Sequence, residues 1–480
     1  MRYLIAIFLL ITLFSCEKIR PVSENNTKVI IKIEAPENFE ISITKDDKYD
    51  FNYKDVVIAV AESDDAGVFK FEFDLKETGV FKIKQKNVVM LDRVYLFPGD
   101  ELKIYVDNTN RDDVKYKFEG KSAKVNNFVV NLNSQYPKDN EYYQNLLNPK
   151  ADEFTKWVDE RHNGMLEYFH DYFITDTLTD FIRNYELSNI NFEWAYLKNE
   201  WAILNYYYQL DKWNEAVIPE NYYSFLKDLK IEEPYLHIFL GRYLESLVWE
   251  WHIGQVKDGV QPTTQTRELA KFDFAKKKFS GETSDIAMTL CLNDLIVYSF
   301  DERMLEVLNK MMGDYKQNVK NRNYLANIEN YYKKRFTILK GNPAPEFTLP
   351  NSFNAPISLK DFKGNVVYVF FWSLMYEPSL QYLKNITELQ QKFENNDKIT
   401  LISIEMDEGG MEKWKKHLVE QSLDGIHLYC EGLFTNKIAV DYMINNIPFA
   451  IIIDKSGKIF MMNAPYPDND KLAGIIEGLL

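Results

Sequence analysis

The run Val366-Val367-Tyr368-Val369-Phe370-Phe371-Trp372-Ser373-Leu374-Met375-Tyr376-Glu377-Pro378-Ser379 joins two local patterns of different period. From Val366 to Phe371 the residues are β-branched or aromatic, a run long enough for a buried strand and too short for a buried helix. After Pro378 the apolar residues fall at Leu380, Leu383, Ile386, Leu389 and Phe393, which is helical spacing. Proline suits the first turn of that helix, because the N–H it lacks would have no intrahelical partner there. The sequence therefore predicts a strand that turns directly into a helix near Tyr376.

Working outward, Gly341-Asn342-Pro343-Ala344-Pro345-Glu346-Phe347 leads into Ile357-Ser358-Leu359-Lys360-Asp361-Phe362-Lys363-Gly364 and then the Val366 strand. Downstream, Ile399 to Ile404 read as the next strand, followed by Glu405, Asp407 and a helix containing Trp414. Asn446-Ile447-Pro448-Phe449-Ala450-Ile451-Ile452-Ile453-Asp454-Lys455-Ser456-Gly457-Lys458 follows. This ordered set resembles the TlpA/ResA-type thioredoxin-like family over about residues 341–480. The resemblance implies an α/β thioredoxin fold at 340–480, with Pro448 in the family's cis-proline position. It places the nucleophilic and resolving cysteines of the family's Cys-x-x-Cys at Tyr376 and Ser379, with Glu377 and Pro378 between them.

A helix N-terminus favours a thiolate through its N–H groups and dipole. A phenol with an ordinary pKa near 10 cannot form a disulfide, and a serine cannot resolve one. The resemblance thus implies a binding surface without a catalytic residue: Trp372, Tyr376, Glu377, Ile447 and Pro448 would border a groove for an extended polypeptide. The competing expectation is that Tyr376 merely fills the vacated position. The other cysteines, Cys291 and Cys430, are far apart in sequence and read as buried small hydrophobes. A thiol-disulfide or peroxide oxidoreductase using one of them is the alternative function.

The 480 residues predict several domains, and 46% hydrophobic with 15% aromatic residues allows large cores. A net charge of −15 argues against nucleic acid as a partner, since phosphate backbones are bound by clustered Lys and Arg. Arg2 followed by the apolar run Tyr3 to Phe14 and then Ser15-Cys16 resembles a bacterial lipoprotein signal. The run is too short to span a bilayer. Residues 1–16 are therefore expected to be a signal peptide, Cys16 a lipidation site, and 17–27 a linker. The protein is expected in the periplasm or cell envelope, anchored to the membrane by lipid.

From 28 to 120 the dominant period is two, with Phe69, Phe71, Phe73 and Leu75 alternating with polar residues and turns such as Phe97-Pro98-Gly99-Asp100 between runs. The expectation is an antiparallel β-sandwich, resembling the small β domain that precedes thioredoxin modules in many anchored bacterial proteins. Gly120-Lys121-Ser122 is not a phosphate loop, because Lys115 stands where such a loop needs glycine.

Residues 121–339 read as a helical domain. Leu187, Ile190, Trp194, Leu197, Trp201, Leu204 and Tyr208 follow one face, either as a packing seam or as an aromatic platform for sugar or peptide. His162 and His170 lie about 12 Å apart along a helix axis, too far for one metal, and His237 and His252 lack ligand spacing. Neither a metal nor a cofactor is expected. The fold class is thus multidomain α and β, and the expected partner is a protein or peptide of the envelope.

Overall fold

The computed structural model describes residues 25–33, 40–46, 55–85, 88–110, 114–208, 218–219, 221–227, 229, 237–298, 300, 302–394, 396–407, 410–468 and 470–480. The expected signal peptide, Cys16 and most of the linker lie outside these residues. The chain divides into two compact units, with the boundary between Asn131 and Leu132.

The first unit carries eight strands: β1 (Asn26–Ile33), β2 (Glu40–Asp46), β3 (Asp55–Glu62), β4 (Val68–Asp74), β5 (Gly79–Gln85), β6 (Val88–Leu96), β7 (Glu101–Asp107) and β8 (Lys115–Glu119). They form two four-stranded sheets, ordered β4-β1-β7-β8 and β3-β2-β5-β6. Alternation decides which side chains turn inward: Val29, Ile31 and Ile33 of β1 join Ile41, Ile43, Phe81, Ile83, Leu102 and Ile104 in one apolar cluster. The expectation of wholly antiparallel pairing needs correction, because β1 and β7 run parallel, Ile31 opposite Ile104. Period-two patterning selects faces and not strand direction, so the sequence carried no signal for this long-range pairing.

Asp100 and the Gly120-Lys121-Ser122 tripeptide meet in a structural knot. The almost fully buried Asp100 carboxylate accepts the N–H groups of Lys121 (2.8 Å) and Ser122 (2.8 Å) and the Ser122 hydroxyl (2.6 Å). Lys121 Nζ reaches the Gly99 carbonyl at 3.0 Å. Gly120 has φ +132°, and a Cβ there would lie 2.6 Å from the Glu101 carbonyl oxygen, so only glycine fits. The tripeptide ties the β7 and β8 ends together and cradles a carboxylate of its own chain. Asp100→Ala leaves buried donors without their acceptor and is expected to cost about 2–3 kcal/mol, read as a lower denaturation midpoint at unchanged slope.

The helices are α1 (Ala123–Gln135), α2 (Asn140–Leu146), α3 (Ala151–Tyr172), α4 (Asp180–Tyr208), α5 (His237–Lys257), α6 (Thr264–Lys278), α7 (Gly281–Tyr298), α8 (Leu305–Asn318) and α9 (Arg322–Thr337). The aromatic stripe of α4 is a packing seam. Trp201 is buried, stacks on Phe154 with centroids 5.2 Å apart, and donates to the Asn148 carbonyl at 2.6 Å. Trp194 stacks on His162 at 4.8 Å and donates to Asp159 at 2.6 Å. Side chains engaged on both face and N–H leave no platform for a sugar. Among the described residues no helix is long and apolar enough to cross a membrane.

The C-terminal part adds a short hairpin, β9 (Thr348–Pro350) and β10 (Pro356–Ser358), then β11 (Val366–Trp372), α10 (Glu377–Lys392), β12 (Ile399–Asp407), α11 (Met411–Glu420), β13 (Ile426–Glu431), α12 (Lys437–Asp441), β14 (Phe449–Ile453), β15 (Ile459–Met462) and α13 (Asp470–Glu477). The five-stranded sheet has the order β13-β12-β11-β14-β15. β11 pairs parallel with β12 and antiparallel with β14. Both faces are covered, which is why β11 shows no polar alternation. Val366, Tyr368, Phe370 and Trp372 pack with α10, Trp414 of α11 and Leu472 of α13. Val367, Val369 and Phe371 instead join the cluster that continues into the helical region. Ahead of β11, Ser358 and Asp361 form a reciprocal cap, which explains the Ser-Leu-Lys-Asp turn.

Candidate binding site at the start of α10

β11 ends fully buried at Trp372, and the chain must turn before α10 can begin. Tyr376 is the N-cap residue, with extended backbone and no capping side chain, and Pro378 sits in the first turn. Ser379 does the fixing. Its buried hydroxyl accepts the Ser373 N–H at 3.2 Å and lies 2.8 Å from the Ser373 carbonyl and 2.7 Å from that of Tyr376. One proton serves one of those carbonyls at a time. The Ser373 hydroxyl in turn accepts the Met375 N–H at 3.0 Å. The position the family resemblance gave to a resolving thiol is thus occupied by a hydroxyl built into the turn.

The outer rim is exposed: Tyr376 is 44% and Met375 71% accessible, and Glu377 and Pro378 lie on the surface. The Ile447–Pro448 bond is cis, and both residues are half-buried. The Tyr466 hydroxyl donates to the Pro448 carbonyl at 2.9 Å, while its ring packs against Tyr382 at 4.9 Å. Burial and the neighbouring Tyr382 and Tyr376 phenols raise the Tyr466 pKa. Trp372, expected at the groove, belongs elsewhere. It is fully buried among the side chains beneath α10, with its ring 6.0 Å from His417, and supports the turn from below.

Three participants were missed by the sequence reading. Glu405 is fully buried at the end of β12, opposite Trp372, and accepts the Leu374 N–H at 2.9 Å, holding the turn from the sheet side. A charged residue directly after the strand residues Leu401, Ile402 and Ile404 was the available signal. Tyr382 and Tyr466 carried none, since the second joins the site across the sheet.

Neither cysteine approaches the turn as a usable thiol. Cys430 is buried on β13, and burial pushes its pKa up to about 12. Cys291 is buried in α7, where burial raises its pKa even further. Both are free. Among the described residues no group of three or more His, Cys, Asp or Glu side chains could hold a metal ion. The chemistry available at the start of α10 is hydrogen bonding and apolar contact.

A family model described as thioredoxin-like matches residues 364–459. The thioredoxin-like protein YneN of Bacillus subtilis is 30% identical over 132 residues, which is 27% of this chain and 75% of that protein. The chain belongs to the thioredoxin-like family. The thiol-disulfide oxidoreductase ResA of Bacillus cereus is 26% identical over 131 residues, 27% of this chain and 73% of ResA. A crystal structure of the thioredoxin domain of a thiol-disulfide oxidoreductase from Bacteroides vulgatus aligns at 24% identity with a TM-score of 0.26, covering 29% of this chain and 96% of that one. By the family model and the curated relatives the thioredoxin-like domain is a homologue of thiol-disulfide oxidoreductases, and at Tyr376 and Ser379 it carries oxygen side chains.

Proposed function

We propose that this chain is an exported protein, anchored by lipid on Cys16, whose thioredoxin-like domain holds an extended polypeptide without exchanging disulfides with it. The observation that carries this reading is the Ser379 hydroxyl, consumed by the backbone of Ser373 and Tyr376 beneath an exposed phenol. Thiol exchange requires a thiolate at the first position and a second sulfur to release the product, and the turn supplies neither.

Binding needs less. The start of α10 sets the positive end of the helix dipole beneath the exposed rim, which suits carbonyl oxygens of an extended chain. Tyr376 adds broad contact area at small entropic cost, and Glu377 biases the rim toward basic segments. Tyr466 holds the Pro448 carbonyl, so the opposite wall is set before a partner arrives. In the cell envelope such a groove serves a scaffolding role.

Titration with a fluorescently labelled, reduced and alkylated unfolded protein tests the groove. Saturable binding weakened about tenfold by Tyr376→Ala is expected. Equal affinity for both chains would assign Tyr376 to filling space alone.

A further inference from the structure

Sulfur has not left the turn before α10 altogether. Met375, directly ahead of the N-cap residue Tyr376, is 71% accessible. Among the described residues it is the one exposed methionine: Met90, Met411 and Met461 are half-buried and the others buried, as are Cys291 and Cys430. Its backbone is nonetheless fixed. The Leu374 N–H donates to the Glu405 carboxylate at 2.9 Å, that of Met375 to the Ser373 hydroxyl at 3.0 Å, and that of Tyr376 to the Ser373 carbonyl at 3.2 Å. A fixed turn therefore holds an unpacked thioether next to the exposed phenol. Leu374 packs into the cluster beneath α10, but Met375 joins none of the three apolar clusters of the described residues. A change at its sulfur thus leaves the fold alone, whereas the same change at a buried methionine disrupts a core.

We propose that Met375 is an oxidation site that regulates the groove: hydrogen peroxide converts its thioether to the sulfoxide, and the sulfoxide weakens the hold on an extended polypeptide. The effect on binding rests on the reading of this turn as a polypeptide groove; the site of oxidation does not. A sulfur lone pair attacks one peroxide oxygen, and the O–O bond breaks as the S–O bond forms. The departing hydroxide takes the proton from the transferred oxygen and leaves as water. Sulfur loses two electrons and the peroxide gains them. A thioether has no proton to lose, so the step needs no ionisation at neutral pH. Cys291 and Cys430 do not compete for the oxidant, because both are buried and burial pushes the Cys430 pKa up to about 12. The product replaces a soft apolar contact with a strong hydrogen-bond acceptor, which a covering chain must desolvate.

Treating the full chain with graded hydrogen peroxide, quenching with catalase and mapping each methionine by mass spectrometry tests the site. Titration of the treated chain with the labelled, reduced and alkylated unfolded protein tests the effect. Met375 should oxidise at least about threefold faster than any other methionine of the described residues, polypeptide affinity should fall about fivefold, and the denaturation midpoint should not move. Methionine sulfoxide reductases for both epimers, with dithiothreitol, should restore the affinity. Met375→Leu, whatever its starting affinity, should keep it through the same treatment. A buried or half-buried methionine oxidised ahead of Met375 would overturn the site. Complete conversion of Met375 with affinity unchanged, or an equal loss in Met375→Leu, would overturn the regulation. Absence of binding before peroxide would count against the groove itself and the regulation with it, while the mapping still decides the site.

Discussion

Replacing Tyr376 and Ser379 together by cysteine is expected to give a domain that accelerates insulin reduction by dithiothreitol, by about tenfold or more over the reductant alone. The surrounding elements are in place: a fully buried strand delivers the turn, Pro378 lies in the first turn of the helix, and the Ile447–Pro448 bond is cis. A thiol introduced at the N-cap of α10 would meet the positive end of the helix dipole, which lowers its pKa toward the working range. The second substitution removes the Ser379 hydrogen bonds, so some loss of thermal stability accompanies the gain. Tyr376→Cys alone should accumulate mixed disulfides and turn over poorly, because nothing resolves them. A folded double variant that titrates two thiols and remains at background would show that something other than missing sulfur silences the site.

The second large effect concerns the thiols the chain already has. In a chain starting at Glu17, neither Cys291 nor Cys430 should react measurably with a disulfide reagent at pH 8 until the protein unfolds, when both should react. A thiol with pKa about 12 holds roughly a thousandfold less thiolate at that pH than one near 8.5, and burial blocks the reagent further. The sign is fixed by burial: the neutral thiol is favoured, so reactivity appears only as pH climbs toward the raised pKa or as the fold opens. A single fast-labelling cysteine in the native protein would instead favour the alternative oxidoreductase, and Cys430→Ser or Cys291→Ser would identify it.

Much of the thioredoxin-like domain was legible because its signals are local. Pro378, the Ser358–Asp361 cap and the Asp454 to Lys458 hairpin act on residues a few positions away. What sequence could not supply were relations set by tertiary packing. β11 is covered on both faces, so its pattern could not say which face Trp372 joined, and the residue was expected at a surface it lies beneath. Tyr466 reaches Pro448 only through the pairing of β14 with β15, and Glu405 meets the turn through the β11–β12 register. The parallel β1–β7 pairing likewise joins residues distant in sequence. The helical aromatic stripe gave the opposite lesson: spacing identified the seam, and ring and N–H partners at Trp194 and Trp201 excluded the platform.

The most direct test is the insulin reduction assay on the native chain with dithiothreitol, read as the onset of turbidity. The predicted result is an onset identical to that of reductant alone at every protein concentration. A concentration-dependent acceleration, lost on replacing Cys430 or Cys291 by serine, would contradict the claim that this domain binds polypeptide without exchanging electrons with it.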